Sequence, residues 1–345
     1  MMIRKLVLLF WAVLCALPAD AGHGQLHAFF IDVEGGQSAL IVGPNKHALL
    51  IDAGWDSDGR DAARIMQAIT AAGVQKLDGV LVTHFHRDHA GGIPDLLKRI
   101  QANEIIDHGS SLIPYPGSEQ IMNAYTAAIR GIPHRIARPG DRFAVGELRV
   151  FVVASSGQNI HKPLPGVSGE KSDCEHATMQ VQEKSENIQS VAVLVRFGNF
   201  RLYDGGDLLW NAEQALVCPK NLLGHVDAIV LSHHGEDTAT PPALIRAISP
   251  RAAIMSNGEK KGGSNAVQAM LHDANVDLWQ IHYSAAMGPN NAPEAMIANP
   301  KGSDDANDIE LTAEKNGNFT VTNRRNGYRK RYPRHGHPSP DNTRS

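Results

Sequence analysis

Four residues able to hold a metal ion, His84, His86, Asp88 and His89, fall within six positions in the run Thr83-His84-Phe85-His86-Arg87-Asp88-His89-Ala90-Gly91-Gly92. So dense a group needs a rigid frame, and the apolar residues 80–82 just before it read as a short buried strand. In extended or turn geometry, residues i and i+2 point the same way, so His84 and His86 can share one ion. Asp88 and His89 lie past the turn and can address a second ion a few Å away. Gly91 and Gly92 permit a tight backbone path around the site.

Two later segments carry similar chemistry. Tyr203-Asp204-Gly205-Gly206-Asp207 follows a predicted strand, and Asp207 can offer an oxygen to each of two ions. Leu231-Ser232-His233-His234-Gly235 ends another apolar run. Each is weak alone and gains weight from the other and from residues 84–89.

Around these motifs the pattern predicts strands over 26–33, 38–42, 47–51, 80–82, 148–153, 191–197, 200–203, 228–231, 252–255, 309–313 and 319–323. Helices are predicted over 61–72, 94–100, 118–130, 209–217, 242–248 and 265–273. Residues 155–190 are polar and rich in Gly and Ser, a long surface loop, and residues 333–345 read as a disordered tail. Strands followed by strand–helix alternation, twice, predict one domain over residues 22–332, built from two sheet-and-helix halves.

The near-neutral balance of 33 Lys+Arg against 36 Asp+Glu excludes nucleic-acid affinity through bulk positive charge. Any such binding must be local. The cluster Arg324, Arg325, Arg329, Lys330, Arg331 and Arg334 can track a phosphate backbone, or is simply a solvated segment. At the other end, Arg4 and Lys5 precede an apolar run over 6–17, then Pro18 and Ala19-Asp20-Ala21. This is the pattern of a signal peptide cleaved after Ala21, and the run is too short to span a membrane. A periplasmic or secreted protein is expected, with no membrane contact after processing. Of the cysteines, Cys174 and Cys218 remain, and the sequence leaves open whether they pair.

The order His84-x-His86-x-Asp88-His89, then Gly-Gly-Asp207, then His233-His234-Gly resembles the metallo-β-lactamase fold superfamily. Within it, residues 30–41, Leu50-Ile51-Asp52-Ala53-Gly54 and Asn187-Ile188-Gln189-Ser190-Val191 are similar to the exported hydrolase-like domain of the DNA-uptake protein ComEC. The resemblance runs from about residue 26 to about residue 258. It implies an α/β fold, a four-layer αββα sandwich, with two divalent ions at one edge. It assigns His84 and His86 to the first ion, Asp88, His89 and His233 to the second, and Asp207 to both. Asp52 would orient a ligand histidine. His234 is an alternative to His233, a substrate contact, or simply the next residue of the turn; Asp88 and His234 are the candidate catalytic residues, His234 to protonate the leaving group.

Three departures bear on the chemistry. No histidine stands at 154–159, where most of the superfamily supplies a third imidazole to the first ion; His161 and His176 are the nearest substitutes. Glu236 replaces the branch's serine after His-His-Gly, and residues 256–263 replace its Asn-x-Tyr-Gly-His-Pro element. The expected activity is hydrolysis by a hydroxide activated between two ions, zinc or alternatively manganese. The expected substrate is a phosphodiester such as nucleic acid. The alternatives are a lactam, lactone or other small ester or amide, and a non-catalytic metal-binding protein of the same fold. A reporter fused to residues 1–25 is expected to leave the cytoplasm, with N-terminal sequencing of the mature chain starting within a few residues of Gly22. An uncleaved chain in the membrane fraction would point to a retained anchor instead.

Overall fold

The computed structural model describes residues 24–110, 112–175, 177–180 and 184–334. The expected signal peptide, His176 and all but the first two residues of the expected tail lie outside them.

The described residues form two large sheets. The first runs, edge to edge, Arg329–Tyr332, Phe319–Asn323, Ile309–Ala313, Leu26–Phe30, Ala39–Val42, Ala48–Ile51, Gly79–Leu81, Ile105–Asp107 and His134–Ile136. Its neighbours are antiparallel as far as Ala48–Ile51 and parallel beyond. The second runs Ile297–Asn299, Asp277–His282, Ala252–Met255, Ala228–Val230, Phe200–Asp204, Ala192–Phe197, Leu148–Ser155 and Arg142–Val145. Here the strands from Phe200–Asp204 to Ile297–Asn299 are parallel and the others antiparallel. The two halves thus repeat one plan: antiparallel hairpins that pass into parallel strand–helix units.

Strand alternation explains the layers. In Ala48–Ile51, Leu49 and Ile51 join the large core shared with Val150, Val193 and Ile229 of the second sheet. Ala48 and Leu50 point the other way, against Ile65 and Ile69 of the helix Arg60–Ala72 and Leu96 of Ile93–Leu97. With both faces buried, such strands read as unbroken apolar runs. Each fully buried Leu or Ile contributes about 1.5–3 kcal/mol. On the second sheet, Leu244 and Ile248 of Pro242–Ile248 and Val267 and Leu271 of Asn265–Asp273 pack into the same large core. The order is helices, sheet, sheet, helices, as expected. Among the described residues, no helix is long and apolar enough to cross a membrane.

Seven strands escaped the sequence reading: 105–107, 134–136, 142–145, 158–159, 277–282, 297–299 and 329–332. Three are only three residues long, too short to show a period. Asp277–His282 hides because its buried polar residues have partners elsewhere in the fold: Gln280 bonds Asn291, and His282 Nε2 lies 2.7 Å from Asp32. Arg329–Tyr332 was read as part of a basic segment and forms an edge strand instead. Four of the six cations there have carboxylates within 4.0 Å: Arg324 (Glu310), Arg325 (Glu294), Lys330 (Asp277) and Arg331 (Glu314).

Two features tie distant segments together. Cys174 and Cys218 form a disulfide, fastening the long 160–184 excursion to the chain just after the helix Trp210–Ala215. Closing a loop of this length is worth about 2–4 kcal/mol in the chain-entropy account. Glu213, fully buried, accepts hydrogen bonds from Ser232 Oγ (2.6 Å), Tyr203 Oη (3.2 Å) and Thr240 N, so it anchors the turn that carries His233 and His234.

Two outcomes are expected. Cys174→Ser should lower unfolding stability by about 2–4 kcal/mol in urea titrations; an unchanged midpoint would show that the bond constrains little. For Glu213, burial pushes the carboxyl up to about 7. The protonated form therefore favours the fold, and that contribution, on the order of 3 kcal/mol, is full below the unfolded value near 4.5 and is lost as pH rises through about 7. Urea unfolding in chelator at pH 5 and pH 8 should show a loss larger by on the order of 3 kcal/mol in the parent than in Glu213→Gln, where the buried carboxyls Asp204 and Asp308, also raised to about 7, still contribute.

Candidate metal centre

The predicted site residues arrive at one place because they follow the carboxyl ends of neighbouring strands. Gly79–Leu81 leads into His84, His86, Asp88 and His89, Phe200–Asp204 into Asp207, and Ala228–Val230 into His233 and His234. Open parallel sheets present such ends as a crevice. Close approach there requires glycine. A Cβ at Gly92 would lie 2.0 Å from the Ala53 carbonyl oxygen, and one at Gly206 (φ +55°) 2.7 Å from Thr83 Cβ.

Two donor groups result. The nitrogens of His84 and His86 and a carboxylate oxygen of Asp207 lie within 4.8 Å of one another; so do donor atoms of Asp88, His89, Asp207 and His234. Asp207 belongs to both. Its Oδ1 is 3.2 Å from His89 Nε2, while its Oδ2 is 3.7 Å from His84 Nε2 and 3.5 Å from His234 Nε2.

The rings are held from behind. Asp52 (φ +59°) accepts from His89 Nδ1 at 2.7 Å, from Thr83 N at 2.8 Å and from Thr83 Oγ1 at 2.7 Å. This fixes a proton on His89 Nδ1 and turns Nε2 toward Asp207. His234 Nδ1 donates to the Ser256 carbonyl at 2.9 Å, turning its Nε2 to within 3.1 Å of Asp88.

Electrostatics favour a donor set ready for cations. Burial, reinforced by His89, pushes His84 well below the ordinary imidazole value, and burial also lowers His86. Both stand neutral with free lone pairs. Burial opposes ionisation of Asp88 and Asp207, yet the imidazoles around them, His89 foremost, hold both well below the usual carboxylate range. His84 Nε2 and Asp207 Oδ1 are buried with no hydrogen-bond partner. The two neutral imidazoles of His84 and His86, two ionised carboxylates and orphaned buried polar atoms form a set that divalent cations fit. Against burial, the same carboxylates hold His89 and His234 above the ordinary imidazole value in the absence of a cation.

The structure changes one assignment. His234, not His233, joins Asp88 and His89. Both histidines are left-handed (φ 56° and 51°), which splays the two rings apart. His233 Nε2 reaches only to 4.0 Å of Asp207 and bonds Asn187 Nδ2 (3.2 Å), while its Nδ1 bonds Thr238 Oγ1 (2.6 Å). With one ring nitrogen on Ser256 and the other in the donor group, His234 keeps none free as the expected proton donor. His161 is exposed, lining a separate cleft of about 440 Å³ with Arg142 and Phe151.

One residue went unnoticed in the sequence. Lys261 Nζ contacts the Asp88 carboxylate, lies 3.1 Å from His234 Nε2 and stands 5.0 Å from the centroid of the Trp55 ring. It belongs to the segment that departs from the competence pattern, and that departure was the available signal.

Comparison with known proteins agrees with this geometry. Residues 32–166 match the sequence model of the metallo-beta-lactamase superfamily. The ComE operon protein 3 of Bacillus subtilis (strain 168) is 23% identical over 270 residues, covering 74% of this chain and 31% of that protein. The competence protein ComA of Neisseria gonorrhoeae is 25% identical over 286 residues, covering 80% and 35%. The chain thus spans about a third of the length of these relatives. Among solved structures, the metallo-beta-lactamase fold protein YhfI of Bacillus subtilis superposes with a TM-score of 0.46 at 12% identity, over 74% of this chain and 95% of that one. Residues 32–166 are thus similar to the metallo-beta-lactamase superfamily, the fold brings a buried Asp–His cluster together, and competence proteins are among the chain's curated relatives.

Proposed function

We infer that this chain is an exported, metal-dependent phosphodiesterase whose domain spans residues 22–332. The observation that carries the reading is the pair of buried donor groups joined through Asp207. His84, His86 and Asp207 would hold one ion, and Asp88, His89, Asp207 and His234 the other. The imidazole-rich set suits zinc, with manganese the alternative. Ions bound there would lower the pKa of water toward neutrality and offset charge developing on a phosphoryl oxygen.

The chain's own residues do the rest. Asp52 and the Ser256 carbonyl hold His89 and His234 in the tautomers that face inward. Lys261 brings an ammonium to the mouth of the site on a half-exposed side chain, where it favours an anionic substrate over a neutral lactam. Glu236, the carboxylate that would repel such a substrate, lies beside His233, its Oε2 3.8 Å from Nδ1. Similarity to competence proteins supports nucleic acid as the substrate class, and the Cys174–Cys218 disulfide supports an oxidising compartment outside the cytoplasm.

Elemental analysis of the purified chain should find close to two divalent ions, falling to one or fewer in Asp207→Ala. With zinc or manganese, bis-p-nitrophenyl phosphate or single-stranded DNA should be cleaved, and Asp207→Ala or His86→Ala should lower turnover at least a hundredfold. Hydrolysis of a chromogenic cephalosporin or a simple lactone, with neither phosphodiester touched, would overturn the substrate while leaving the metal centre standing.

A further inference from the structure

The loop after Leu148–Ser155 lacks the histidine that would complete the first donor group, and its polar side chains are engaged elsewhere. Ser155 Oγ donates to the Ala137 carbonyl at 2.8 Å and Ser156 Oγ to the His108 carbonyl at 3.0 Å. Its backbone, however, is bonded to another segment: Ser156 N donates to the Gln189 carbonyl at 3.0 Å. Gln189 closes the helical turn Glu186–Gln189, which is fastened to the metal-ligand segments on both sides. Glu186 Oε1 accepts from Phe85 N, between His84 and His86, at 3.3 Å. Ser190 Oγ accepts from Asp207 N at 3.2 Å, and Val191 N donates to the Thr83 carbonyl at 2.8 Å.

Asn187 lies on this turn and is 4% exposed. Its amide nitrogen can only donate, so His233 Nε2 is the acceptor of the 3.2 Å bond between them. The His233 proton is then on Nδ1, directed to Thr238 Oγ1. The amide nitrogen is thereby committed, and the remaining atom, Asn187 Oδ1, is buried with no partner. A buried carbonyl oxygen left unpaired is costly unless something positive meets it.

We propose that Asn187 Oδ1 is the fourth protein donor to the first metal ion, in place of the missing histidine, and that His233 positions it by holding its amide nitrogen. This rests on the metal-dependent reading above. It gives the first ion two imidazoles and two oxygens, a harder set than three imidazoles.

Cobalt(II) titration of metal-stripped protein tests it, because the visible absorption of cobalt reports its donors without any turnover. The parent should take up two ions. Asn187→Leu should weaken one of them at least tenfold and shift the absorption band. Asn187→Asp, which restores an oxygen donor, should recover the affinity. His233→Ala should weaken the same ion several-fold. Two ions bound by Asn187→Leu with parental affinity and spectrum would overturn the assignment alone. So would loss in Asn187→Leu that Asn187→Asp fails to recover, which would mark a structural role. No cobalt uptake by the parent would instead sink the metal-centre reading on which the proposal rests.

Discussion

Asp52 is a carboxylate with no access to water, and it holds the two halves of the site in register. It satisfies the amide and hydroxyl of Thr83 and the Nδ1 proton of His89. Gln37 Nε2 then bridges Asp52 Oδ2 (3.3 Å) to Asp204 Oδ1 (3.0 Å), linking the strand ends of one sheet to those of the other. Without Asp52, three buried donors would lose their acceptor at about 1–3 kcal/mol each, and His89 would be free to turn. The orientation of the donor atoms is therefore set by what lies behind them.

Much of this was legible in the residues. The apolar runs at 48–51, 79–81 and 228–230 are unbroken because both faces of each strand are covered, and their ends bear the histidines and acids. Helix Arg60–Ala72 was readable from the spacing of Ala62, Ile65 and Ile69 and from Gly73, whose φ of 70° closes it. What escaped reading depended on contacts made across the fold. No local pattern distinguishes His233 from His234, since the choice comes from two successive left-handed residues and from partners at positions 187, 238 and 256. Strand Asp277–His282 was masked by polar residues whose partners are distant in sequence. The pairing of Cys174 with Cys218 followed from the path of a long excursion that has little periodicity of its own.

The charges near the site oppose one another in a useful way. Lys261 faces inward against Asp88 and His234, while Glu236 is 38% exposed beside His233. An anion approaching the donor groups, as the proposed function requires, would meet the ammonium of Lys261 beside Asp88.

The strand Arg329–Tyr332 borders the first sheet, and an edge strand exposes backbone amides and carbonyls that can recruit another chain. Arg329, Lys330 and Arg331 are all exposed there. Two copies meeting along this border would bring like charges together at strand spacing, about 5 Å. The basic segment that invites comparison with a nucleic-acid track therefore has a second physical effect: it keeps a nine-stranded sheet from growing into a fibril.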